Sequence, residues 1–100
     1  MHLPAELRLE SFMPHVGSPF QLQVEGGAAV ALELAKAAPL SQGVPGGRVP
    51  FSLLFLGPAG AGGLPQRTWT LEHAALGRLD IFLVPLGPVQ GRMRYEAIFS

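Results

Sequence analysis

Short apolar runs divided by Gly- and Pro-rich links predict an all-β fold, a small antiparallel sandwich or barrel of about six strands with a short N-terminal helix. Three observations carry that expectation. Several runs alternate apolar and polar residues with period two, the pattern of a half-buried strand. The links between runs are short and made of turn-forming residues. No sustained helical period separates one run from the next, which excludes repeated βαβ units.

Each element has its own warrant. Leu9, Phe12, Met13 and Val16 recur at helical spacing, and Pro14 disrupts the end of that pattern, so a short helix is expected over Pro4–Phe12. Residues 20–25, FQLQVE, alternate cleanly. Gly26-Gly27 then reads as a two-residue hairpin turn, because both positions tolerate positive φ. The return arm AAVALELAKAAP has helix-favouring composition, yet Val30, Leu32 and Leu34 alternate with Ala31, Glu33 and Ala35, and the hairpin signal favours a strand. Pro39–Pro50 reads as a loop. Phe51–Leu56 is a strand, residues 57–66 a flexible hairpin connection, and Arg67–Glu72 a strand around Trp69 and Leu71. Gly77 suits a left-handed position at the end of the AALG turn. Leu79–Pro85 is the next strand, GPVQG a loop, and Met93–Phe99 the last strand.

Composition excludes several function classes. At 100 residues, positions 1–100 are expected to form one domain. The charged fraction is 14%, against about 25% in ordinary soluble chains. Seven basic and seven acidic residues cancel, so nucleic-acid binding lacks its electrostatic footprint. No run approaches the roughly 20 apolar residues of a membrane span, and the N-terminus does not read as a signal peptide. Cysteine is absent, which excludes disulfides and thiol catalysis and suits a cytoplasmic setting. Asparagine is absent too, and Arg supplies six of the seven basic residues, a bias expected of a thermophile or of a GC-rich genome.

The candidate chemistry is sparse. Glu72-His73 offers a carboxylate beside an imidazole, but adjacent strand residues point to opposite faces, which leaves Asp80 as the partner able to reach His73 across the turn. No nucleophile motif accompanies them, and a turn hydrogen bond is the expected role of His73. His2, His15 and His73 are scattered, so no metal site is expected. GPAGAGGLP lacks the lysine and glycine spacing of a phosphate loop. Trp69, with Arg67 beside it, could stack on a ligand, but it shares a face with Leu71 and is expected in the core. No catalytic residue and no cofactor is implied.

Two runs break the alternation. In residues 51–56, Leu54 and Leu56 lie opposite Phe51, Leu53 and Phe55; in residues 79–84, Phe82 and Val84 lie opposite Leu79, Ile81 and Leu83. One face of each is core, and the other needs a cover. A helix carrying Leu9, Phe12 and Met13 is short for that task, so Leu54, Leu56, Phe82 and Val84 are expected to form an interaction surface in a homo-oligomer or with a protein partner.

Finally, PFSLLF at 50–55, LPQ at 64–66, TLEH at 70–73, G-x-L-x-I-F-L-V-P at 77–85, YEAIF at 95–99 and Phe20 in VGSPFQL together resemble a family of bacterial domains of about this length, a domain of unknown function. The resemblance implies a β-rich bacterial domain and brings no activity, cofactor or catalytic residues; its relatives' setting among phage-tail-like proteins implies a role in a larger assembly. The expected function is a non-catalytic structural or protein-interaction module. A small-molecule-binding β-barrel with its mouth near the 57–66 loop is the alternative, and an enzyme the third.

Overall fold

Strand β1 (Pro19–Gln23) leaves the N-terminal segment and returns as β2 (Ala29–Pro39); β3 (Phe51–Leu56), β4 (Arg67–His73), β5 (Gly77–Val89) and β6 (Arg92–Phe99) follow. The computed structural model describes residues 7–24, 26–41 and 49–99. All pairings are antiparallel, and the six strands close into a barrel in the order β1-β2-β3-β6-β5-β4. Of the two architectures the sequence allows, the barrel is the one formed. Closure rests on the short pairing of Gln21 and Leu22 with Glu72 and Leu71, which removes the exposed sheet edge there.

Alternation, broken only by the register shifts at Leu34/Lys36 in β2 and Pro85/Gly87 in β5, sends one side of each strand inward. Phe20 and Leu22, Leu32 and Leu34, Phe51, Leu53 and Phe55, Trp69 and Leu71, Leu79, Ile81 and Leu83, and Tyr95, Ala97 and Phe99 fill the lumen as one cluster. A barrel of so few strands has an interior just wide enough for such side chains.

The helix differs from expectation. It spans only Leu9–Phe12 (α1), and the next turn, Met13–His15, is 3-10. Arg8 is extended, so the helix starts at Leu9 and leaves out Leu7 and Arg8 of the expected window; Pro4–Glu6 lie outside the described residues. Pro14 sits at the start of the 3-10 turn, where its missing N–H costs nothing. Nor does α1 cover an outer sheet face. Leu9 and Phe12 are buried in the barrel mouth, where the Phe12 ring lies 5.8 Å from Phe51 and 6.1 Å from Phe99. Met13 is left exposed.

The opposite mouth is closed by residues 57–66. These are no hairpin loop, because β3 and β4 are not neighbours in the barrel; the segment is a crossover. Leu64 N–H donates to the Tyr95 hydroxyl (2.9 Å), Gly57 N–H to the Met93 carbonyl (2.8 Å) and Trp69 Nε1–H to the Pro65 carbonyl (3.1 Å). Trp69 is thereby a core residue, with the Arg67 guanidinium 4.4 Å above its ring.

Two turns differ in detail. Gln23 pairs with Ala29 and Val24 N–H donates to the Ala28 carbonyl (3.1 Å), so the ladder closes at Val24 and Ala28 and the first hairpin is wider than a Gly26-Gly27 two-residue turn. GPVQG is no loop: β5 runs through Gly87 and Pro88 to Val89, and Gln90-Gly91 make a tight turn with φ of 49° and 79°. Both positive values match the hairpin turn that follows strand twist. Prolines are tolerated there because β4 pairs with β5 no further than Leu83, which leaves one edge of the strand free.

Candidate functional site

Two features of the barrel invite a functional reading: a polar cluster at the α1 mouth and an apolar band on the outside.

The polar cluster is centred on His73, the last residue of β4 and the one buried polar side chain among the described residues. Alternation places Glu72 outside, where it accepts a long hydrogen bond from Gln23 Nε2 (3.4 Å), and His73 inside against the Phe20 ring at 4.4 Å. Asp80 does not reach His73. It lies on the outer face and accepts from Thr70 Oγ1 (2.8 Å), its cross-strand partner. Nor are the histidines all scattered, since the 3-10 turn brings the His15 ring to 4.6 Å from His73. Ser18 is held there because Gly17 N–H donates to the Leu34 carbonyl (2.7 Å) and Leu34 N–H donates to the Ser18 carbonyl (3.1 Å). Its Oγ lies 2.9 Å from His73 Nε2. These partners are separated from His73 by more than fifty residues, and nothing in local spacing announces them.

Proton positions follow from the donors. The N–H groups of Ala75 (3.0 Å) and Leu76 (3.3 Å) both point at His73 Nδ1, and an N–H can only donate. The ring proton therefore sits on Nε2 and is donated to Ser18 Oγ, whose own hydroxyl donates to the His15 carbonyl (2.6 Å). A serine nucleophile needs the reverse, an unprotonated imidazole nitrogen facing its hydroxyl. What this arrangement does chemically is tie β4, the AALG turn and the 3-10 turn together. Among the described residues no third His, Cys, Asp or Glu joins His15 and His73 in a metal set.

Burial, and after it the neighbouring His15, holds the His73 imidazole below its ordinary value of 6.5. The unfolded chain thus takes up a proton at a higher pH than the folded one. The stabilising contribution is whole above about pH 6.5 and is lost as pH falls from there through the lowered folded value. Urea unfolding between pH 7.5 and 5.5 should show stability falling with acid, and His73→Asn, whose Oδ1 still accepts from the turn, should flatten that slope while lowering stability at every pH. An unchanged slope in the variant means that His73 is not the titrating group.

The outer band is formed by β3, β6 and β5. Leu54, Leu56, Phe82 and Val84 all project outward and are half-buried; Ile98 on β6 joins them at 45% exposed. Leu54 pairs across to Glu96 and Glu96 to Val84, so the residues are neighbours on one surface. A β-bulge between Leu34 and Lys36 shifts the parity of β2 and brings Lys36 onto the same face, opposite Leu54. Sequence alternation alone puts Lys36 on the core side with Leu34, which is why its place here was not foreseen. α1 contributes nothing to this face.

The architecture defines a class: a small, closed, antiparallel β-barrel domain stoppered at one mouth by a helical turn and at the other by a crossover loop. Within that class, a family model described as Domain of unknown function (DUF6916) matches residues 7–99, and the chain belongs to that family. No curated protein and no solved structure matches the chain. Among the described residues no helix is long and apolar enough to cross a membrane.

Proposed function

We propose that the domain is a non-catalytic structural or protein-interaction module that docks through the outer face of β3, β6 and β5. One observation carries the reading: Leu54, Leu56, Phe82, Val84 and Ile98 form an outward apolar band, and the helix able to cover it is seated in the barrel mouth instead. Apolar residues gathered on one outer sheet face, here on either side of Glu96, suit an interaction site. The lumen is packed with Phe and Leu side chains, which favours the outer surface over the interior as the place of recognition. The cysteine-free composition supports a cytoplasmic setting, and docking suits a component of a multi-protein assembly.

The test replaces Leu54 and Phe82 together by Glu and measures particle mass by light scattering beside the parent. A parent mass above the 10.6 kDa of the chain is expected, falling to the chain mass in a variant that keeps its circular dichroism. A folded variant with the parent's mass shows that the docking face lies elsewhere.

A further inference from the structure

The register of the outer face points to its occupant. β2, β3 and β6 present three rows across the barrel. The first is Ala38, Ser52, Ile98; the second Lys36, Leu54, Glu96; the third Glu33, Leu56, Arg94. In each row the β3 residue stands in the middle, with its neighbours about 4.8 Å to either side. The two charged rows carry opposite charges on their two flanks, and the sign order reverses between them. Glu33 already pairs with Arg92 at 2.9 Å, and Arg94 donates to the carbonyls of Leu86 and Gly87 (3.2 and 3.3 Å). Lys36 and Glu96 form no ion pair among the described residues, and Lys36 is the one lysine of the chain.

We infer that a second copy of this chain docks here, related by a two-fold axis that lies parallel to β3 between the two facing surfaces. This rests on the docking face proposed above, of which it uses the β3 and β6 residues, with β2 as the other flank. The axis exchanges the β2 flank for the β6 flank and leaves position along the strand unchanged. Lys36 then faces Glu96 of the other copy, Glu33 faces Arg94, the large Ile98 faces the small Ala38, and Leu54 and Leu56 each meet themselves. Every contact occurs twice, as a self-complementary two-fold interface requires. The other two-fold axis that brings the faces together runs across the strands. Centred on the Lys36 row, it sets Lys36 on Lys36 and Glu96 on Glu96 and is opposed by like-charge repulsion. Centred between the two charged rows, it sets Lys36 on Glu33 and Glu96 on Arg94, but Glu33 is already paired with Arg92 and Arg94 already donates to two carbonyls within the same copy. Charge complementarity points to a second copy, and the axis along β3 is the one that sets the two charges without an ion pair, Lys36 and Glu96, against each other.

The experiment reverses the flanking charges in the full chain. Lys36→Glu alone and Glu96→Lys alone should each weaken dimerisation on the order of tenfold or more at low ionic strength, since each converts two attractive pairs into repulsive ones. The double variant, Lys36→Glu with Glu96→Lys, should dimerise like the parent. An equimolar mixture of the two single variants should form a heterodimer, because each then supplies what the other lacks. Carbodiimide treatment of mixed light and heavy-isotope parent chains should join Lys36 of one copy to Glu96 of the other in a peptide found by mass spectrometry. A parent at the chain mass at every concentration overturns the inference. So do single reversals that leave the parent's affinity unchanged. If those reversals are silent while the Leu54 and Phe82 substitutions still dissociate the particle, the docking face stands and this orientation fails. If the particle survives both sets, the face itself is wrong.

Discussion

Phe12→Ala is expected to lower unfolding stability by about 3–5 kcal/mol, the range for emptying a large aromatic from a packed core. Phe12 has no exposed surface and stoppers the mouth of the barrel against Phe51 and Phe99, whose rings stack at 4.7 Å. Its removal leaves a cavity that α1, a single turn, cannot collapse to fill, because Leu9 is already seated in the same cluster. The loss therefore includes both the transferred surface and the cavity. Met13→Ala, one residue on and 53% exposed, serves as the control and should be close to neutral. Urea denaturation of the three proteins checks this. Equal midpoints for the Phe12 variant and the parent would falsify the stopper.

A second large effect is expected at the β1–β2 turn. Gly26 and Gly27 have φ of 90° and 86°, a region closed to β-branched residues. A Cβ at either position meets nothing within 4 Å, so the cost of Val at both is backbone strain rather than collision. At about 1–2 kcal/mol for a non-glycine residue with such φ, and more for a β-branched one, the double variant should lose several kcal/mol. β1 is the strand that closes the barrel onto β4 through only two residue pairs, so strain in its hairpin is expected to open the seam. Hydrogen exchange should then quicken at Leu22 and Leu71 ahead of β3 and β6. Gly62→Ala has open space and no positive φ, and should leave stability almost unchanged. A Val-Val variant melting with the parent removes the turn from the list of constraints.

Much of the molecule was legible before any tertiary information. The six strands, the turn glycines 26 and 77, the opposed faces of Glu72 and His73, the core position of Trp69 and the outward apolar pairs Leu54–Leu56 and Phe82–Val84 all follow from period-two alternation and turn chemistry, which act over a few neighbouring residues. Family resemblance was legible too, through phrases spread across the chain, and the match over residues 7–99 agrees with it.

What remained hidden depends on events that alternation does not encode. A bulge between Leu34 and Lys36 moves Lys36 to the outer face, and another between Pro85 and Gly87 lets β5 continue where Gly and Pro suggest a loop. A bulge adds one residue to a strand without changing composition, so its position is decided by what the neighbouring strand can pair with. Closure is likewise a global property: only when β1 meets β4 do His15, Ser18 and His73 converge, and only then is it settled that α1 enters the mouth instead of lying over β3 and β5. By itself the sequence determined which residues form strands and which faces are apolar, because those are local consequences of side-chain size, polarity and backbone freedom. The tertiary structure decided which faces meet, since that choice minimises exposed edge and surface over the whole barrel at once.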